Sequence, residues 1–398
     1  MKHAELFAGV GGLSLAVEAA FGAELTWYAE NDPAPSRIMT RHWPGIPNHG
    51  DVTQIDWTTV EPVDVLSGGS PCQDVSSAGK RAGMFEGTRS NLWVAMREAV
   101  ATIQPTYVIW ENVRGAHSST AHSEVESEQR LLGSTRGPYL RSTGRVLGDL
   151  ASLGYDAQWR TLSAASVGAP HRRDRVFILA WRRGATAPNS ERGRDHRRNW
   201  IQPSESTMAT RRTDDARSGT AQLSRRPLKL LPTVTASDSK RETVSANARE
   251  NHSGTTLATE LKLLPTPIAS DANSTGPADL KRDSTQLRAM HLLQETQHGR
   301  ERLGAYEPAI ARWENVTGSP APHPTAPAST GKHRLSERFA EWMMGLPPGW
   351  ICDTPEIKRS DAIRAAGNGV VPQQATAALR DMIATMPTND VALTGGIV

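Results

Sequence analysis

The sequence predicts an α/β protein with a doubly wound, parallel sheet, and three observations carry that expectation. Over residues 1–181, short apolar runs alternate with stretches of helical periodicity, the pattern of successive βαβ units. The first apolar run passes straight into a glycine-rich turn, Gly9-Val10-Gly11-Gly12, with a helical stretch directly behind it. Beyond Trp181 the texture changes: 182–330 is rich in Ser, Thr, Arg and Pro with little periodicity. A second, smaller domain is expected there.

Strands are expected at 4–8, 25–30, 63–68, 106–111, 157–162 and 175–181. Between them, 13–21 reads as a helix stopped by Gly22, and Asp32-Pro33 as an N-cap followed by proline at the first helical position. Residues 91–103 and 143–153 carry further helical patterns, while the polar insert 118–142 reads as a long surface loop. In the second region Leu228-Lys229-Leu230-Leu231-Pro232-Thr233 returns as Leu261-Lys262-Leu263-Leu264-Pro265-Thr266. Two copies are too few for a solenoid, so they are expected as paired extended elements, packed in the core rather than reading a ligand. A proline-dense linker at 320–327 leads to a helix over 334–345, a tight turn at Gly367-Asn368-Gly369, and a last helix over 372–386. The final dozen residues are expected to fray. The division expected is 1–181 and 331–390 for one domain, with 182–330 for the other.

Composition narrows the function classes. The chain has 398 residues, of which 37% are hydrophobic, enough for a sizeable core. No run approaches the roughly 18 apolar residues of a membrane span, and the start lacks an apolar signal region. A soluble, intracellular protein is expected. Its two cysteines, Cys72 and Cys352, stand far apart with no CxxC, which argues against a cysteine zinc site or a disulfide framework. Charge is uneven: 181–230 holds 12 Lys/Arg against 5 Asp/Glu, on a chain whose total is only +3. Contact with a polyanion and a plain solvated linker explain that stretch equally well.

Glycines after the first strand let the backbone turn tightly and approach a ligand. Glu30 closes the second strand eighteen residues beyond Gly12, a distance that suits hydrogen bonds from ribose hydroxyls. Together they suggest a cofactor containing adenosine. The third glycine of the dinucleotide fingerprint is missing and nothing else supplies a hydride site, which sets a nicotinamide dehydrogenase aside. Gly50-Asp51-Val52 is a further turn that could hold an adenine edge. The sharper signal is Gly68-Gly69-Ser70-Pro71-Cys72-Gln73, directly after the third strand, where ligands of doubly wound sheets bind. The next strand ends in Glu111-Asn112-Val113. If the two strands are neighbours, the Cys72 thiol and the Glu111 carboxyl meet in one pocket, a pairing suited to nucleophilic addition assisted by an acid. A cysteine is more often a small buried hydrophobe. The turn setting favours function for Cys72, and its absence assigns Cys352 to structure.

These motifs, with Ala169-Pro170-His171-Arg172-Arg173-Asp174-Arg175 and Gly367-Asn368-Gly369-Val370-Val371-Pro372, stand in the order of the DNA (cytosine-5)-methyltransferases of the bacterial and phage type, which the chain resembles. The resemblance implies a Rossmann-like S-adenosylmethionine-dependent methyltransferase domain and a second, smaller target-recognition domain at 182–330. It assigns Phe7, Gly9, Gly11, Gly12, Glu30, Asn31, Asp51, Val52, Leu92 and Asn368 to S-adenosyl-L-methionine, whose product is S-adenosyl-L-homocysteine. It makes Cys72 the nucleophile at cytosine carbon 6 and Glu111, kept protonated by burial, the hydrogen-bond donor to ring nitrogen 3. Arg173 and Arg175 match the family's two motif arginines, with Arg175 on carbonyl oxygen 2. The family has Gln at His171 and Phe at Val75.

The implied partner is double-stranded DNA, with the target base turned out of the helix. The resemblance also implies a monomer in the bacterial cytoplasm or in a phage host. A cognate restriction endonuclease would be a functional rather than physical partner. Two competing readings are the same chemistry on transfer RNA, and a catalytically dead DNA-binding regulator. Intact Cys72, Glu111 and Arg175 argue against the second of these.

Overall fold

The computed structural model describes residues 1–70, 92–117, 120–121, 140–188, 230–236, 306–327 and 333–387. The chain divides into two units: Met1–Ser163, Asp174–Ile201 and Val370–Val398 form one, Ala164–Arg173 and Gln202–Gly369 the other.

The first unit is a mixed α/β domain around a six-stranded sheet. Its strands are β1 (Lys2–Leu6), β2 (Glu24–Ala29), β3 (Val65–Gly68), β4 (Tyr107–Val113), β7 (Tyr155–Leu162) and β8 (Arg175–Arg182), in the order β2-β1-β3-β4-β8-β7. β1, β2, β3 and β4 run parallel, whereas β8 runs antiparallel to both β4 and β7. The expected parallel sheet thus carries one antiparallel strand, β8. No helix of the first unit lies between β7 and β8, so β8 returns beside its predecessor as antiparallel strands do. The insert 118–142 departs from a pure loop as well. Its base is closed by an antiparallel pair, β5 (Thr120–Ala121) with β6 (Leu140–Arg141).

Strand alternation divides the core into two layers. Leu66, Val108, Trp110, Ile178 and Ala180 face one way, against α3 (Trp93–Ile103) and α4 (Ser142–Ser152) through Trp93, Met96, Val146 and Leu150. Val65, Ile109, Phe177 and Leu179 face the other way, against α1 (Gly12–Phe21). They also meet Ala375, Ala378, Leu379 and Met382 of the last helix, α8 (Pro372–Ile383), which packs along α1. Gly22, left-handed at φ 62°, ends α1, and the Asp32 side chain accepts from the Ala34 N–H to start α2 (Pro33–His42). Both stop and start signals act as the sequence indicates.

The second unit contains α5 (Glu307–Thr317), the antiparallel pair β9 (Thr325–Pro327) and β10 (His333–Leu335), α6 (Glu337–Met343) and α7 (Arg359–Asn368). The expected linker at 320–327 thus ends in a strand. The expected helix over 334–345 begins only after Ser336, whose hydroxyl accepts from the Phe339 N–H at 3.4 Å. Trp313 is fully buried and donates to the Trp342 carbonyl at 3.0 Å. The Glu341 carboxylate gathers the N–H groups of Gly349, Ile351 and Cys352 at 2.6, 2.6 and 2.8 Å. Burial, with the nearby Glu341 carboxylate, raises the Cys352 thiol pKa, which disfavours its thiolate. Residues 230–236 run along the segment bearing His171: the Leu231 N–H donates to the Pro170 carbonyl at 2.7 Å. The second copy of that repeat lies outside the described residues.

Candidate active site

The order β2-β1-β3 means that the chain crosses to the other side of β1 after β2, which makes the carboxyl ends of β1 and β3 a switch point. The turn after β1 lies there. Phe7 and Gly9 are both left-handed, at φ 56° and 55°, and Gly11 at φ 77° is the N-cap of α1. A Cβ on Gly11 would lie 2.5 Å from the Trp43 ring, and one on Gly12 would strike the Val370 carbonyl. These two glycines are therefore dictated by close packing around the turn.

Glu30 stands just past β2 and bridges two loops. Its Oε2 accepts from Gly9 N–H and its Oε1 from Asp32 N–H, both at 2.8 Å. Burial raises its pKa, and those two N–H groups partly restrain the shift. The Asn31 N–H is a third donor to this carboxylate, which leaves about one acceptor site for a ligand hydroxyl. The Asp51 carboxylate accepts from the Thr53 N–H and hydroxyl, each at 2.9 Å, and from the Asn31 side chain. The Thr53 donors lead in holding it below the usual carboxylate range. Val52 is buried in the α3-side core, with half-buried Phe7 and Leu92 packed against the same cluster. Nine of the ten expected cofactor residues therefore lie in the first unit. The tenth, Asn368, is exposed at the end of α7 in the second unit.

Cys72 lies outside the described residues, as does Val75. What the structure does describe is the approach to Cys72. β3 and β4 are parallel neighbours, with Gly68 level with Trp110. Ser70 is buried and bound to β4 on both sides of Glu111: Trp110 Nε1 donates to its hydroxyl at 3.1 Å, and the Asn112 amide donates to its carbonyl at 3.2 Å. A Cβ on Gly69 would lie 2.9 Å from Glu111 Oε2. Glu111 itself is buried, and its Oε1 receives Arg175 Nε at 2.8 Å. The burial expected of Glu111 is present, together with a guanidinium against one of its oxygens. Register explains the pair, because Val113 on β4 is level with Arg175 on β8, two residues beyond Glu111.

Arg173 stands differently from its motif partner. It is buried at left-handed φ 39° in the second unit, and its guanidinium donates to the carbonyls of Val234 at 3.2 Å, Gly367 at 2.9 Å and Gly369. Those contacts describe a brace between three segments rather than a group directed at a substrate. His171 is likewise structural, its Nε2 2.8 Å from the Met343 carbonyl. The sequence reading gave no role to Ser70, Trp110 and Asn112, although Ser70 and Asn112 lie in motifs that it singled out. It also passed over two buried hydrogen-bonded pairs, His3 with Ser67 and Glu5 with Ser14. The one available signal was charge and polarity inside an otherwise apolar strand. Among the described residues, no group of three or more His, Cys, Asp or Glu could hold a metal ion, and no helix is long and apolar enough to cross a membrane.

The sheet and its side chains define a doubly wound α/β protein whose polar groups gather at the carboxyl ends of β1 to β4. The family profile described as C-5 cytosine-specific DNA methylase matches residues 1–384. The chain therefore belongs to the C-5 cytosine-specific DNA methylase family. It is 30% identical over 183 residues to the Type II methyltransferase M.NgoBV of Neisseria gonorrhoeae, a match covering 45% of this chain and 40% of that protein. It is 34% identical over 182 residues to the Type II methyltransferase M.Eco47II of Escherichia coli, covering 45% and 39%. The matched stretch thus spans about two fifths of these relatives' length. The solved structure of the S. pombe Dnmt2 methyltransferase covers 97% of this chain and 99% of its own, at 12% identity and a TM-score of 0.45, a likeness too low to carry an argument.

Proposed function

We propose that the protein is a DNA (cytosine-5)-methyltransferase that takes its methyl group from S-adenosyl-L-methionine and delivers it to a cytosine turned out of a specific duplex sequence. The observation that carries the reading is Glu111, paired with Arg175 and pressed against Gly69, three residues before Cys72. Family membership supports it independently.

The residues of the first unit fit an adenosine-bearing donor. The glycine turn leaves no room for side chains at Gly11 and Gly12, Glu30 and Asp51 offer acceptors, and Phe7, Val52 and Leu92 supply an apolar wall. When bound, S-adenosyl-L-methionine supplies an electrophilic methyl group and leaves as S-adenosyl-L-homocysteine. The chain's task is to make carbon 5 of cytosine nucleophilic. The Cys72 thiolate adds to carbon 6, and the ring electrons move to carbon 5 as the ring becomes an enamine. Glu111, which takes up a proton from solvent as Arg175 leaves it for the base, donates a hydrogen bond to ring nitrogen 3, relieving the charge that addition places there. Entry of the base exchanges the Glu111–Arg175 pair for two contacts with the base, Arg175 taking carbonyl oxygen 2. Loss of the carbon 5 proton then expels Cys72 and restores the thiolate.

The second domain, at 182–330, is the element that selects the target, with the basic stretch at 181–230 on DNA phosphates. The enzyme works as a monomer in the bacterial or phage-infected cytoplasm, with any cognate endonuclease acting separately on the same sequence. The test is incubation of the full chain with methyl-labelled S-adenosyl-L-methionine and duplex DNA. Label at cytosine carbon 5, lost in Cys72→Ala, is expected, and bisulfite sequencing of DNA from expressing cells then gives the target. Label on transfer RNA alone would replace the DNA reading with the RNA one. Donor binding with no label on any nucleic acid would leave a regulator.

A further inference from the structure

Helix α1 begins without a cap of its own. Its N-cap is Gly11, which has no side chain to accept from the first-turn N–H groups, and its φ of 77° with Trp43 alongside resists any other residue. In dinucleotide-binding folds such a helix start receives a phosphate. Here an acceptor comes from inside the sheet. The Glu5 carboxyl of β1 takes the Ser14 N–H at 2.9 Å and the Ser14 hydroxyl on the same oxygen. Ser14 is the third residue of α1, so its N–H is one of the donors left over at a helix start.

Glu5 is 2% exposed, and among the described residues no cation pairs with it. The charged groups around it are carboxylates: Glu30 past the end of β2 and Glu111 on β4 both act on it. His3, on the same face of β1, is buried and held neutral by desolvation, with its Nε2 on the Ser67 hydroxyl. β3 and α1 contribute only the neutral Ser67 and Ser14. Desolvation leads in raising the Glu5 pKa to about 8. A carboxyl in this position has two effects. It occupies a helix-start donor that an anion would otherwise take, and it becomes easier to ionise once a positive charge arrives nearby.

We propose that Glu5 sets the charge of the ligand that this crevice accepts, by filling the phosphate position at the start of α1 and by releasing its proton to solvent when a cationic donor binds. The proposal rests on the donor reading above. Glu5 is a positioning and selecting residue, since it holds the glycine turn through α1 and takes no part in methyl transfer.

The experiment is calorimetric titration of the full chain with S-adenosyl-L-methionine and, separately, S-adenosyl-L-homocysteine, whose sulfur is uncharged, at pH 6 to 8.5 in HEPES and in Tris. The expected result is a net proton release on binding the sulfonium ligand, with an affinity that climbs by up to about tenfold per pH unit towards pH 8 and then levels. The homocysteine ligand should show a flatter profile. In Glu5→Gln, which keeps an acceptor for Ser14, the release shrinks and the climb flattens to whatever Glu30 contributes. Glu5→Ala, which removes the acceptor, weakens both ligands. Equal proton counts and equal pH slopes in the wild type and Glu5→Gln overturn the proposal, as does the same pH slope for both ligands. Failure of the wild type to bind S-adenosyl-L-methionine at any pH would instead overturn the donor reading.

Discussion

The contact between Gly69 and Glu111 can be tested with a single methyl group. Gly69→Ala would put a Cβ 2.9 Å from Glu111 Oε2, about 0.5 Å inside ordinary van der Waals contact. Gly69 does not occupy the left-handed region, so alanine brings no backbone penalty. Neither neighbour can easily yield. Arg175 holds the carboxylate at 2.8 Å from the far side, and Ser70 is fixed to Trp110 and Asn112. Overpacking of this kind costs about 1–3 kcal/mol. The loss of unfolded-chain freedom on replacing glycine returns about 0.4–1 kcal/mol. Net stability therefore falls by about 0–2.5 kcal/mol, a drop of at most several degrees in Tm. The strain falls between the proposed acid and the strand end that leads to Cys72. Displacements approaching 1 Å at reacting groups cost about 100-fold in rate, so kcat should fall roughly 10- to 100-fold. The assay is single-turnover methyl transfer to duplex DNA beside a thermal melt, with calorimetry to confirm that donor affinity is retained. An unchanged rate with an unchanged Tm would refute the argument, because it would mean that Glu111 does not lie against this turn.

Arg173→Lys should lower the unfolding free energy by about 1–3 kcal/mol, read as a lower denaturant midpoint at unchanged slope, since one ammonium cannot serve the carbonyls of Val234, Gly367 and Gly369 together. An unchanged midpoint would show that the brace carries no energy. Stability should also depend on pH through two buried groups of opposite sense. The His3 pKa is about 3 when folded against 6.5 when free, so folding excludes a proton and stability falls as pH drops from about 6.5 towards 3. The Glu5 pKa is about 8 against 4.5, so folding takes up a proton and stability falls as pH rises from about 4.5 through 8. Urea titrations across pH 4 to 9 should therefore flatten on the alkaline side in Glu5→Gln. An alkaline limb identical to wild type would show that Glu5 is ionised in the empty protein.

Much of the first unit is legible because its signals are local. The continuous apolar runs in 106–111 and 175–181 mark strands buried on both faces, and Gly22 and Asp32-Pro33 mark a helix end and start without reference to anything distant. Candidate site residues that sit on turns were accessible for the same reason. Glycines at 9, 11 and 12, Glu30 and Asp51 each announce a backbone need or a polar group at a strand end. The antiparallel course of β8 was not legible, since the apolar pattern of a buried strand is the same in either direction. The separate circumstances of Arg173 and Arg175, two residues apart in one motif, were equally hidden. One turns back to carbonyls of its own unit and the other reaches Glu111, and only strand register and a left-handed backbone at 173 decide which.

By itself, the amino-acid order determined the sheet-and-helix alternation, the glycine turn, and the succession of motifs that places the chain in its family. These depend on periods of two and 3.6 residues and on single backbone preferences, all of which act within a few positions. Tertiary structure alone decided that Glu5 caps α1, that Ser70 is bound on either side of Glu111, and that the last helix closes a layer begun by the first. Each of these joins residues on different elements. Their energy comes from desolvation and close contact, quantities that exist only once the chain has brought those elements together.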